Sequence, residues 1–181
     1  KFAGGEGKTA ALERYADKLK AARPLTLDKL ERYTLLINDI SGFTVDPALT
    51  PIDEEKGTYE LTLNLDFKAV DGVVLTNNRG TPDIGRLQGW ASAGLNSLLG
   101  LRERIQFGFF TVPNNPAELK YYELTYTQPI DAEGTTMSLK ASLAEIEPGG
   151  SLSLSDVQST AERIALTIWH PLIRSRGENL W

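Results

Sequence analysis

The chain has 181 residues, a formal charge of -5, a sequence pI near 5.0 and no cysteine. Its acid excess, with lysine and arginine scattered, argues against nucleic-acid binding, and the lack of cysteine excludes disulfides and thiolate metal sites. No run of about 18 apolar residues is present, so no transmembrane helix is expected; a transmembrane β-barrel would leave the same blank, because its strands alternate.

Lys1 is preceded by neither a start methionine nor a signal peptide, as in a mature chain or an excised piece. Residues 2–7 are glycine-rich and too few to form an element alone. From Thr9, the spacing of Leu12, Tyr15, Ala16, Leu19 and Ala22 predicts an amphipathic helix that ends before Pro24. Thr26 offers an N-cap oxygen to a second helix, with Asp28 in its first turn. Leu27, Leu30, Thr34, Leu36, Ile37 and Ile40 lie on its buried side, and Gly42 suits the left-handed position at its end.

Phe43, Thr44 and Val45 begin a strand running toward Ile52, and Pro47 and Pro51 mark it as irregular or at a sheet edge. Residues 53–57 read as a polar turn. Across 59–67, Tyr59, Leu61, Leu63, Leu65 and Phe67 alternate with polar residues, which predicts a half-buried strand. Residues 1–68 therefore read as one α+β unit, two helices on a small sheet.

Around Asn77-Asn78-Arg79-Gly80 the apolar period changes from helical spacing to every second residue. Five strands are predicted across 69–181, at 85–96, 104–112, 120–128, 135–144 and 161–169, and residues 178–181 can open a sixth. Gly, Pro, Asn and Asp in the short connections predict antiparallel neighbours, an up-and-down meander. The period alone does not separate a soluble sheet from a membrane barrel. The polar faces do favour the barrel: Arg86, Gln88, Gln106, Glu123, Lys140 and Arg163 are too long and charged to fill a small dry barrel, and suit a wet lumen. Five strands cannot close a barrel by themselves, so the sequence reads as a piece whose open strand edges would pair with a copy of itself outside a membrane.

Catalysis finds little support. His170, the single histidine, sits before Pro171 at a strand end with no marked nucleophile beside it. Asp53-Glu54-Glu55 reads as a solvated turn rather than a cation site. Gly4-Gly5-Glu6-Gly7-Lys8-Thr9 fails the phosphate-loop pattern, since Phe2 stands where glycine is needed. No enzyme activity, cofactor or metal is expected.

Residues 30–43, from Leu30 through Asn38-Asp39-Ile40-Ser41-Gly42 to Phe43, resemble the second helix and following strand of a POTRA domain in TpsB transporters, the outer-membrane hemolysin secretion/activation proteins of two-partner secretion. Asn78-Arg79-Gly80, the following strand and Leu99-Gly100-Leu101-Arg102-Glu103 resemble the start of that family's barrel, with glutamate where its L-G-x-x-D turn has aspartate. Gln128-Pro129-Ile130-Asp131 and His170-Pro171 resemble later strand ends.

The resemblance implies a POTRA-like periplasmic domain over 1–68 and the first barrel strands over 69–181, in the outer membrane of a Gram-negative bacterium. It also places the handover from periplasm to membrane at Asn77–Gly80. The function it implies is recognition and secretion of a large hemolysin- or adhesin-like exoprotein. Capture would occur by strand addition along Phe43, Thr44 and Val45, with Leu30 and Tyr33 beside them, and Arg86, Gln88, Glu123, Lys140 and Arg163 would line the lumen while the opposite faces meet lipid. A soluble α+β protein, binding a small ligand or partner on its sheet, is the alternative.

Overall fold

The structure is a computed structural model that describes residues 1–5, 7–53, 55, 57–155 and 157–181. Glu6, Glu54 and Lys56, which belong to the glycine-rich start and the expected polar turn, lie outside the described residues.

The first unit is built as its spacing dictates. After β1 (Phe2–Gly4) and a 3-10 turn (Thr9–Leu12), α1 (Glu13–Ala21) buries Tyr15 and Leu19. In α2 (Leu27–Asn38), the Thr26 side chain accepts the Lys29 N–H at 3.4 Å, the expected N-cap. Gly42 is left-handed, with φ of 85°, but the helix stops at Asn38, so this glycine turns the chain into β2 rather than closing the helix. β2 (Phe43–Asp53) and β3 (Thr58–Phe67) form an antiparallel hairpin, and β1 adds in parallel to β3. The order β1-β3-β2 puts β2 at an edge, although the strand is longer and more regular than its prolines imply. The helices cover one face over Leu12, Leu36, Ile37, Phe43, Val45, Leu63 and Phe67.

The second unit is a six-stranded antiparallel meander in strict chain order: β4 (Val70–Asn77), β5 (Gln88–Asn96), β6 (Arg104–Thr111), β7 (Leu119–Pro129), β8 (Thr136–Ile146) and β9 (Ser159–Trp169). Alternation misses β4, because Gly72 and the run Val73-Val74-Leu75 hide its period. This strand begins at Val70, next to the first unit, and carries Asn77–Gly80 to the far end of the sheet, correcting the expectation for that motif. Residues 179–180 do not extend the meander; β11 (Asn179–Leu180) pairs with β10 (Ile173–Arg174) in a separate hairpin. Among the described residues no helix is long and apolar enough to cross a membrane.

Register sorts the meander into two faces. One carries Gln106, Thr125, Lys140 and Ala165 in one row and Gly108, Glu123, Ser142 and Arg163 in the next. The other carries Phe107, Leu124, Ala141 and Ile164, with Leu139 and Leu166 alongside. That apolar face is uncovered, with Ile164 80 % exposed and Leu166 63 %. On the polar face a cluster of side chains gathers around Glu123. Lys140 pairs with Glu123 at 3.0 Å, and the Tyr121 hydroxyl donates to the same carboxylate at 2.7 Å. Gly108 is where Trp90 lies flat across the strands; a Cβ there would stand 2.3 Å from the ring.

At the end nearest the first unit, residues 97–103 turn β5 into β6 around a buried carboxylate. Glu103 is fully buried and accepts the Leu99 and Leu101 N–H groups at 2.5 and 2.9 Å, so its carboxylate organises the turn from inside. Glu103→Ala would orphan both donors, and unsatisfied buried donors cost about 1–3 kcal/mol each. Thermal unfolding of the variant protein in detergent should therefore show a clear drop in midpoint, whereas an unchanged midpoint would mean the turn is held by other contacts.

Candidate functional site

The near-end turns are also where the two units meet. Residues 130–135, which join β7 to β8, enter the first unit's core through Ala132. Asp131 shapes this turn by accepting the Glu133 and Thr135 N–H groups at 2.9 and 3.0 Å. Gly134, with φ of 96°, lets it lie against α2, since a Cβ would fall 2.5 Å from Leu36.

Around this apolar contact stands a ring of polar ones. Glu133 pairs with Lys18 at 2.7 Å and accepts the Tyr33 hydroxyl at 3.1 Å. Arg32 donates to the Glu133 and Pro171 carbonyls, each at 3.3 Å. Arg174 binds both oxygens of Asp39 at 2.7 Å, a bidentate fork that places β10 against the end of α2. The Arg176 N–H donates to Glu31, and Lys8 to the Ser97 carbonyl.

Between α2, the near-end turns and the polar face lies a cavity of about 320 Å³, with Tyr15, Leu36, Arg102, Arg104, Trp169 and Trp181 on its wall. Arg104 is tied to Asp71 in an ion pair that also holds Asn96. Arg102 enters from the Glu103 turn and is 8 % exposed, with its guanidinium over the Tyr15 ring.

These positions rearrange the expected site. Leu30, Phe43 and Val45 are buried at 9, 3 and 5 %, and Thr44 is exposed on the opposite face of the small sheet. Tyr33 serves the contact with Glu133. The β2 edge is closed as well. The outward N–H of Val45 donates to the Asn38 side-chain oxygen at 2.7 Å, and the Asn38 amide donates to the Val45 carbonyl at 3.4 Å. Farther along, the outward residues alternate as Pro47, Leu49 and Pro51, of which only Leu49 has an N–H to offer. Strand addition at Phe43, Thr44 and Val45 therefore meets an edge without free donors, since the residues that mark the edge also remove its N–H groups.

Gln88, Glu123, Lys140 and Arg163 share the polar face as expected. Arg86 does not; β5 starts at Gln88, and Arg86 lies exposed in the preceding loop. His170 sits at the near end, where its Nδ1 lies 2.8 Å from the Thr135 hydroxyl. That hydroxyl donates to Asp131 at 2.5 Å, so the three groups brace a turn rather than activate a nucleophile. Glu133, Arg102 and the Asp39–Arg174 pair escaped sequence reasoning, because each belongs to a contact between distant segments.

Burial opposes ionisation of Glu133, but hydrogen bonds from Lys18 and Tyr33 and the charges of Lys18 and Arg32 outweigh it, holding the carboxyl below the ordinary glutamate range. A carboxyl lowered in the folded state stabilises the docked arrangement fully above its unfolded pKa, and loses that contribution as pH falls through the lowered value. Hydrogen exchange across α2 should accordingly quicken below the ordinary glutamate range, and Glu133→Gln should bring that faster exchange to neutral pH. Identical exchange in the two proteins would remove Glu133 from the docking.

No family model matches the chain, and no curated protein sequence matches it. Solved structures do. CdiB from Escherichia coli aligns with a TM-score of 0.56 at 16 % identity, over 78 % of this chain and 27 % of that one. CdiB from Acinetobacter baumannii aligns at 0.54 and 16 %, over 83 % of this chain and 29 % of that one. BamA from Haemophilus ducreyi lacking POTRA domains 1-3 aligns at 0.54 and 12 %, over 92 % of this chain and 31 % of that one. The chain thus spans less than a third of each structure, and what it shares with them is the fold.

Proposed function

We propose that this chain is the part of a TpsB-type outer-membrane transporter that receives an extended polypeptide in the periplasm and starts it across the membrane. The observation that carries the reading is the two-faced meander, whose polar side gathers Lys140, Tyr121 and Thr125 around Glu123 while Leu124, Leu139, Ile164 and Leu166 stand uncovered on the other. Its strands run from 8 to 11 residues, close to the roughly 9–11 that a tilted membrane-spanning strand needs. The fold shared with CdiB and BamA supports an outer-membrane β-barrel. Lipid is then the solvent of the Leu124, Leu139 and Leu166 face, and the Gln88, Glu123, Lys140 and Arg163 face belongs to the lumen.

Residues 1–68 take the POTRA role on the periplasmic side. They hand the substrate over at the docked near-end turns rather than by adding it to the closed β2 edge. The partner is a secreted exoprotein, hemolysin- or adhesin-like, and the activity is transport rather than catalysis.

Neighbouring residues on β8 test the path. In the full transporter, Ser142→Trp narrows the polar face and should cut exoprotein in the medium several-fold, with the amount of folded barrel unchanged. Leu143→Trp faces lipid and should leave both intact. Equal secretion by the two variants would overturn transport along this face.

A further inference from the structure

The cavity at the junction of the two units has an uncompensated charge on its wall. Its other charged groups are matched: Arg104 with Asp71, and Asp39 with the Nε and Nη2 groups of Arg174, each at 2.7 Å. Arg102 has no such partner. Its guanidinium donates to the Tyr15 hydroxyl at 3.4 Å and the Pro129 carbonyl at 3.5 Å, both long, and pairs with no carboxylate among the described residues. Stacking on the Tyr15 ring, 5.7 Å from its centroid, supports the cation without neutralising it.

A side chain 8 % exposed is costly to hold charged unless an anion meets it. The backbone is committed to this placement as well: Arg102 has φ of 67°, a left-handed conformation that glycine would adopt more readily. Arg102 nevertheless points its charge into a space of about 320 Å³, large enough for a bound group.

We infer that this cavity is a receiving site for a carboxylate borne by an extended polypeptide, with Arg102 as the anion-binding group and Trp169 and Trp181 as an apolar rim. The inference rests on the transport reading above for the kind of chain that arrives. Three observations select a peptide carboxylate rather than a lipid headgroup. The cavity is walled by Arg104, Thr127 and Trp169, which the register puts on the polar face and not on the face that meets lipid. It is continuous with the docked interface, through Leu36 and Gly134 on its wall. Its rim pairs one buried cation with two half-exposed tryptophans, 51 and 55 % exposed, a combination suited to an acidic residue flanked by apolar ones.

The test uses the full protein in detergent and two short synthetic peptides, each with leucines around a central residue that is Asp in one and Asn in the other. Fluorescence anisotropy of labelled peptide should show the Asp peptide binding about tenfold tighter or more, as a charge-assisted pair replaces a neutral one. Arg102→Gln should abolish the preference, Arg102→Lys should keep part of it, and Trp169→Ala should weaken both peptides alike. Equal affinity of the wild-type protein for the two peptides overturns the site even where Arg102→Gln does not fold, and so does a preference that survives in folded Arg102→Gln. Tighter competition by anionic lipid micelles than by the Asp peptide assigns the cavity to a headgroup and overturns the peptide assignment. None of these measurements depends on secretion, so the failure of the site and the failure of the transport reading are separable.

Discussion

Adjacent side chains of a strand point to opposite sides of a sheet, and the organisation of residues 70–169 depends on that constraint. Six strands in unbroken antiparallel register set a mostly polar side, centred on Glu123 and Lys140, against a mostly apolar one, centred on Leu124 and Leu139. A slip of one residue in the β7–β8 ladder would set Leu143 against Glu123 or Leu124 against Lys140, so the pairing of the polar residues and the segregation of the leucines enforce each other. The four inner strands are hydrogen-bonded on both sides, while β4 and β9 are paired on one side only.

The turns at one end tie this sheet to the first unit. Each is short and each is braced from inside, by Glu103 in residues 97–103 and by Asp131 in residues 130–135. Rigid turns can be docked, and these meet α1 and α2 through one apolar insertion, at Ala132, ringed by ion pairs and hydrogen bonds. Such a polar seam resembles a transient interface more than a core, and it leaves room for the cavity that holds Arg102. The small sheet contributes nothing by its β2 edge, where Asn38 and two prolines have removed almost every outward donor.

Much of the fold was legible in the sequence, for physical reasons that can be named. Leu12, Tyr15 and Leu19 announced α1, Thr26 its successor, and five of the six meander strands showed their period because each has one wet face and one apolar face. β4 was hidden because Val73, Val74 and Leu75 are consecutive apolar residues, two of them on the polar face near Trp90 and Ser92. Gln88, Glu123, Lys140 and Arg163 fall on one face of the sheet because they lie within strands, and Arg86 does not, because a glycine and a loop end the periodicity there. The capture site failed for another reason. An edge strand is visible in sequence, but whether its N–H groups are free depends on a side chain from the preceding helix. The junction was not legible at all, because its pairs link residues more than a hundred positions apart, such as Arg32 with Glu133 and Asp39 with Arg174.

The central claim is that alternate residues of the meander see water and lipid. Because the chain has no cysteine, single cysteines report on one position each. With the full protein in lipid, cysteines at Thr125, Lys140 and Ala165 should react readily with a charged, water-soluble maleimide. Those at Leu124, Leu139 and Leu166 should resist it and be quenched, once spin- or fluorophore-labelled, by lipid-borne quenchers. Uniform reactivity at all six positions, or protection that follows no two-residue period, would contradict the account.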